Sequence, residues 1–477
     1  MTLLVIDAGS SSVRALLVDD AGQPLLGAVA RRFHEFHTDH SGAVTADAAA
    51  LRDRLEACID DILRHPQAGT IRAVGMASFV GNLVGLKKGI PITPLYTYAD
   101  TQPAEAVAYL RSLVDTAAAH QRTGCPQHTA YHPARLRWLK QTQPEIFAAV
   151  DCWTDFATTC YRTWFGRDVP CSYSVASWSG LFNRATLGWD AEWLNVLGLA
   201  ESLFSPLADF TAAQTGLTGD YAARWPSLRD VPFFLAVGDG AAANIGSGGT
   251  DRAHPVLTVG TTAALRLVTE ETLPPVPSGL WVYRVDARRH LIGGATSEGG
   301  NIFDWAGRTL QLPDAETVER ELTNCLPDGH GLVFLPLLAG ERSPGWAVDA
   351  TGGIHGLRLG TTPLDILQAA LEGVALRLSL VADRLGLGDA PLFAGGGALV
   401  GSPAWAQIIA NALGRSLHVL AEEEVTARGV ALLLLKTLDG LDAPPPSIQR
   451  VYQPDSAAVN IYQKARERQV AFYGLFT

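Results

Sequence analysis

The 477-residue sequence predicts an α/β protein of two related domains facing each other across a cleft. Three observations carry this expectation. The chain is too long for one hydrophobic core and most naturally divides into two. Residues 4–18, LVIDAGSSSVRALLV, read as a β-hairpin around a Gly/Ser-rich turn, and residues 257–268, LTVGTTAALRLV, read as a second one around Gly260-Thr261-Thr262. Helical segments follow both hairpins, which suggests a duplicated α/β unit, although the two halves have diverged too far to count as a sequence repeat. The boundary falls near residue 245, giving domains of 1–245 and 246–477.

The elements follow from local pattern. Residues 1–30 carry two or three short apolar strands, 47–64 a helix, Ile71–Ser78 a buried strand and Leu83–Leu86 another. Helices are expected at 102–118 and 133–148. From Val231 the strand-rich pattern resumes: FFLAVGDG reads as a strand ending in an acid, then the second hairpin, then LWVYRV and HLIGGA as two further strands. Helices at 363–386, 402–413 and 425–440 flank the strand PLFAGG. A proline-rich break at Ala443–Pro446 precedes a last amphipathic helix running out near Thr477.

Composition narrows the class. Apolar residues make up 47% and charged residues 18%, as in a soluble globular protein. No window is apolar for long enough to span a bilayer, and MTLLVIDAG has no basic leader, so a cytoplasmic protein is expected. Thirty-seven basic against 48 acidic residues leave a net charge of −11, which repels nucleic acid and anionic membrane. The six cysteines show no Cys-x-x-Cys and no Cys/His cluster, so they are read as reduced thiols with no zinc site.

The first hairpin is where chemistry concentrates. A turn at Ala8-Gly9-Ser10-Ser11-Ser12 offers N–H groups and hydroxyls to an anion, and Asp7 at the strand end suits the Mg²⁺ that accompanies a phosphate. An ordinary Gly/Ser hairpin explains the same residues equally well. Asp239, flanked by two glycines, ends a strand and opens a small-residue helix; alone it reads as an N-cap, but a second phosphate-type hairpin just downstream favours catalysis. Other chemistries fail on spacing. Val400 stands where a dinucleotide fingerprint needs its third glycine, and none of Lys87, Lys88, Lys140, Lys436 or Lys464 directly follows a glycine as in a P-loop. No Gly-x-Ser-x-Gly elbow exists. His34, His37 and His40 read as a solvated loop, and the tryptophans between residues 153 and 225 mostly as packing, with one or two able to stack on a ligand.

Taken together, GDGAAANIGSG (238–248), TVGTTAALRL (258–267), GERSPGW (340–346), FAGGGALVGSPAW (393–405) and GGIHGLRLGTTPLDILQAALEG (352–373) resemble the FGGY family of carbohydrate kinases along essentially the whole chain. The resemblance implies the actin/Hsp70-type fold, two RNase-H-like domains, each a mixed sheet flanked by helices. It implies phosphoryl transfer from ATP with Mg²⁺, the nucleotide held mainly by the C-terminal domain and the sugar by the N-terminal one. Asp7 with Gly9, Ser10 and Ser12 resembles the first phosphate loop, with Ser10 where Thr is commoner. Gly260, Thr261 and Thr262 resemble the second loop, Gly396 and Gly397 belong to the adenosine loop with Trp405 on the following helix, and Asp239 resembles the catalytic base. Rivals are an actin- or Hsp70-like ATPase with no sugar substrate and a sugar-sensing pseudokinase that has lost catalysis.

The acceptor is read from weaker signals. GERSPGW and GDGAAANIGSG resemble the versions in gluconate-type members, which favours a sugar acid over a ketose such as xylulose. Phe79-Val80-Gly81-Asn82 replaces the family's Gln-Met-His-Gly, and Tyr98-Ala99-Asp100-Thr101-Gln102 its Trp-x-Asp-x-Arg. Polar residues expected at strand ends place Arg14, Asn82 and Asp100 against the acceptor, with Arg14, Arg135 or Lys87 meeting the carboxylate. A homodimer is left open.

Overall fold

The computed structural model describes residues 2–475 except 348, 423 and 443. Ala443 of the expected proline-rich break and Thr477 at the expected run-out of the last helix lie outside the described residues.

The first hairpin forms as the pattern requires. Strand β1 (Thr2–Ala8) pairs antiparallel with β2 (Ser12–Val18), and β2 with β3 (Pro24–Phe33). On its other side β1 runs parallel to β4 (Ile71–Ser78), which is parallel to the short β5 (Val237–Gly238). Strand β1 is a continuous apolar run because both its faces are covered. Leu4 and Ile6 enter the core under helix α1 (Ala48–Ile62), and Leu3 and Val5 enter a second core on the opposite face.

The second half repeats the plan. Strands β6 (Val256–Val259) and β7 (Ala263–Thr269) form the second hairpin; β8 (Trp281–Arg284) and β9 (His290–Thr296) extend it antiparallel. Strands β10 (Leu392–Gly395) and β11 (Leu417–Leu420) continue parallel to β6, and β12 (Ile448–Tyr452) closes the edge antiparallel. The order is β8-β9-β7-β6-β10-β11-β12, against β5-β4-β1-β2-β3 in the first sheet. In both sheets the leading hairpin strand has its partner on one side and a parallel strand on the other, as a duplicated unit should.

Helix α2 (Asp239–Gly246) lies across α5 (Val425–Asp439), and α5 packs on the outer face of β1 and β4. A helix from the second half of the sequence thus roofs the first sheet. Helix α3 (Pro363–Leu385), opened by a Thr362/Asp365 capping box, supports β7 and β9, with α4 (Pro403–Leu413) and α6 (Ser456–Tyr473) outside it.

Four local expectations are corrected. The helix at 102–118 is two, Ala104–Leu113 and Thr116–Thr123, because Asp115 caps the second through the Ala117 and Ala118 N–H groups. The helix at 133–148 splits at Pro144, which lacks an N–H and drives Gln143 out of the helical region. In FFLAVGDG only Val237–Gly238 is strand. His34 is buried, its Nε2 3.0 Å from the Gly9 carbonyl oxygen, and braces the first turn where a solvated loop was expected.

Candidate active site

The site is built from the carboxyl ends of three parallel strands. The register sets Asp7 beside Ala77 and Ala77 beside Val237, so Asp7 on β1 and Asp239, just past β5, emerge from the same sheet edge two strand spacings apart, about 10 Å. Ligands of α/β sheets bind at such edges. Asp7 is buried, and Asp239 is half-buried as the first residue of α2. The cap residue of that helix is Gly238, so Asp239 is not an N-cap; its Oδ1 accepts the Gly240 N–H at 2.8 Å.

The glycines on either side of Asp239 are dictated by Trp178. A Cβ on Gly238 would lie 2.9 Å from the Trp178 Nε1, and one on Gly240 3.0 Å from its ring edge. Trp178 in turn stacks on Tyr283 with ring centroids 3.7 Å apart, an aromatic floor that fixes the first turn of α2. Among the tryptophans expected to pack or stack, this one reaches the site; Trp405 is fully buried and donates to the Leu371 carbonyl in the core.

Burial pushes the carboxyls of both Asp7 and Asp239 up to about 6. Arg14, with Nη2 3.0 Å from Asp7 Oδ2, and Arg266, near Asp239, pull the other way. The charge of Asp7 raises Asp239 further. For Asp7, the folded value lies above the unfolded 3.8, so its contribution to stability is full below 3.8 and is lost as pH rises through about 6. Raising the pH from 4 to 7.5 is therefore expected to destabilise the wild-type chain more than Asp7→Asn in thermal melts without ligand. Equal losses would show that the carboxyl is not raised.

Arg14 is already engaged. It is the cross-strand partner of Asp7 and forms a second, short ion pair with Glu424, which also binds Arg31. It is a clamp on Asp7, not a free acceptor ligand. Asn82 is held too, its Nδ2 donating to the Phe79 carbonyl at 2.6 Å and its Oδ1 accepting the Phe156 N–H at 2.8 Å. Arg135 is buried and donates to the carbonyls of Gly81, Thr97 and Thr129, and Lys87 ends the strand Val84–Lys87 with its side chain exposed. Asp100 is buried with one oxygen on the Gln102 N–H, 3.0 Å away, and its Oδ2 without a partner.

The two hairpin turns are open. Gly9 N–H closes its turn on the Ser12 carbonyl and Gly260 N–H on that of Thr262, each at 3.0 Å. Those two amides shape the turns, whereas the N–H groups of Ser10, Ser11, Thr261 and Thr262 have no partner among the described residues. Ser12 itself is the buried first residue of β2. Beside the second turn, Gly396 has φ +104°, and a Cβ there would fall 2.3 Å from the Val259 carbonyl oxygen, so only glycine lets the β10 loop close on β6. Around Gly395 and Gly397 the space is open.

Two further residues converge here unforeseen. Arg266 of β7 reaches α2, with its Nε 3.8 Å from where a Gly240 Cβ would stand. Arg342, four residues before the Trp346 whose ring meets those of His128 and Tyr131, exerts its charge on His128, Tyr131, Tyr283 and Arg266. Arg266 is the lone charge in the strand AALRLVT, a break in apolar pattern that marked it.

Comparison with known proteins agrees with this architecture. The model for the N-terminal domain of the FGGY family of carbohydrate kinases matches residues 2–246, and that for its C-terminal domain matches residues 256–438. A gluconokinase of Bacillus licheniformis is 24% identical across 92% of this chain and 88% of its own. A glycerol kinase of Thermus brockianus is 28% identical across 90% and 88%. The solved xylulose kinase and gluconate kinase of Lactobacillus acidophilus superpose with TM-scores of 0.91 and 0.90, each at 23% identity, over 99% and 100% of this chain and 98% of theirs. Among the described residues no helix is long and apolar enough to cross a membrane. Because the two domain models match in order and together cover most of its length, the chain belongs to the FGGY family of carbohydrate kinases and is a sugar phosphotransferase.

Proposed function

We propose that this kinase transfers the γ-phosphoryl group of ATP to a hydroxyl of a sugar acid of the gluconate type, with Asp239 as general base. The observation that carries the reading is the common sheet edge of Asp7 and Asp239, with the first turn following directly on Asp7 and unpartnered N–H groups in both hairpin turns. Asp239 accepts the proton of the attacking hydroxyl, and a carboxyl raised to about 6 is a stronger base than an ordinary one while still ionised at neutral pH. The free N–H groups of Ser10, Ser11, Thr261 and Thr262 meet the phosphates, and the open Gly395–Gly397 loop receives the adenosine. The acceptor lies on the 1–245 side, with Asp100 offering its unpartnered oxygen, and ATP mainly on the 246–477 side.

A divalent cation fits Asp7. Two hard-oxygen carboxylates, both raised by burial, Asp7 further by Glu424 and Asp239 further by Asp7, are what Mg²⁺ relieves. Asp7 would hold it, with Arg14 steadying the carboxylate, and the ion would neutralise charge on the phosphates. The gluconokinase relatives, spanning 92% and 94% of the chain, support the sugar acid, and the ATP-dependent reaction together with the reduced thiols supports a cytoplasmic location.

ADP release with ATP and Mg²⁺, coupled to a panel of D-gluconate, D-xylulose and glycerol, tests this. D-gluconate is expected to give the highest kcat/KM, and a ketose outperforming every sugar acid would overturn the substrate while leaving the kinase. With gluconate, kcat/KM is expected to fall below pH about 6 as Asp239 protonates. A flat profile from pH 5 to 8 would remove the base.

A further inference from the structure

The buried arginines of this fold engage their terminal guanidinium nitrogens, although several leave Nε without a partner. Arg135, Arg184, Arg284 and Arg428 each donate to two or more backbone carbonyls, and Arg377 pairs with Glu341. Arg266 and Arg342 are the exceptions at the site. Arg266 has one long contact through its terminal nitrogens, Nη1 to Thr258 Oγ1 at 3.4 Å. Arg342 makes no ion pair and no side-chain hydrogen bond among the described residues. The two repel each other, and burial draws Arg266 down to about 10. Both guanidinium groups are half-buried, and the nearest acid acting on Arg266 is Asp239 of the site itself, so the two arginines leave an excess of positive charge beside Asp239 that an anionic acceptor would complete.

We propose that Arg266 and Arg342 form the subsite for the carboxylate of the acceptor and thereby select a sugar acid over a neutral sugar. The position favours this anion over the γ-phosphate. Arg266 lies four residues beyond Thr262 along β7, about 13 Å from the turn that meets the phosphates. It stands beside the first turn of α2, so an acceptor with its reacting hydroxyl at Asp239 can turn its anionic end towards Arg266. On the Arg342 side, Gln127 keeps both amide atoms buried and unpartnered, donors and acceptors for intervening hydroxyls, and neighbouring His128 is held neutral, down to about 4, by burial and by Arg342. The planar guanidinium pair matches a carboxylate bidentately.

The inference rests on the sugar kinase reading, and the experiment separates the two. The full chain and its Arg266→Met and Arg342→Met variants are assayed with D-gluconate and with D-sorbitol, a neutral polyol of the same carbon number, and D-gluconate is tested for raising the melting temperature without ATP. Each variant is expected to raise KM for gluconate by roughly 30-fold or more, lower the gluconate-to-sorbitol ratio of kcat/KM accordingly, and lose the gluconate-induced thermal shift that wild type shows. Arg266→Lys, retaining charge without the fork, should recover part of the loss. An equal loss with both acceptors, a rise confined to KM for ATP, or a thermal shift unchanged in both variants would overturn the subsite. Absence of ADP release by wild type with any acceptor would overturn the kinase reading instead.

Discussion

Asp239→Asn is expected to lower kcat by ~10²–10⁴-fold, the usual worth of a positioned base, while leaving nucleotide affinity within about twofold. The change preserves shape: the Asn oxygen can still accept the Gly240 N–H, and Trp178 still packs against Gly238 and Gly240. What disappears is the capacity to take the hydroxyl proton. The acid limb of the pH profile near 6 should shrink with it to what Asp7 alone contributes, since no carboxyl remains at position 239 to titrate. Single-turnover kinetics with calorimetric titration of ADP checks both halves. Near-normal turnover would remove Asp239 from the chemistry, and loss of ADP binding in step with turnover would indicate a disturbed fold.

Gly429→Ala is expected to destabilise the chain by about 3 kcal/mol or more and to reduce turnover as well. Helices α2 and α5 cross with backbone nearly touching. A Cβ on Gly429 would fall 1.8 Å from the Ala242 carbonyl oxygen, and one on Gly246 1.7 Å from that of Val425. Neither oxygen can yield without moving a helix, and α2 carries Asp239. A displacement of about 1 Å at a catalytic group costs on the order of 10²-fold. Gly307→Ala provides the contrast, because it lies within the helix Asn301–Thr309 with nothing within 4 Å of the added methyl. It should gain up to about 1 kcal/mol from helix propensity alone. Denaturant midpoints of the two variants measured together decide the matter; an unchanged midpoint for Gly429→Ala would contradict the tight crossing.

What could be read from the sequence was what depends on neighbours in the chain. Both hairpins, the strand Ile71–Ser78 and the helices at 363–385, 403–413 and 425–439 stand within a residue or two of expectation, since apolar period, a glycine turn and a cap suffice for each. The breaks at Asp115 and Pro144 carried visible signals that the apolar pattern around them masked. The family resemblance made Asp7 and Asp239 stand out, but their common sheet edge needs the parallel pairing of β1, β4 and β5, strands up to 230 residues apart in sequence. Arg14 illustrates an inference within reach yet missed: the hairpin register alone sets it opposite Asp7 and so commits its charge. Asn82 looked available as a polar strand-end residue, and only the arrival of Phe156 from a distant helix shows its amide oxygen to be engaged in the fold. For Arg266 the strand pattern marked an anomaly, while its meaning lies in α2 and in the loop bearing Arg342.

The most direct test of the central claim follows the phosphorus. Wild-type protein incubated with ATP, Mg²⁺ and D-gluconate should show, by ³¹P NMR, ADP and a new phosphomonoester resonance in equal amounts, with inorganic phosphate negligible. Inorganic phosphate and ADP appearing alone, at a rate indifferent to gluconate, D-xylulose or glycerol, would contradict the account and identify an ATPase on the same fold.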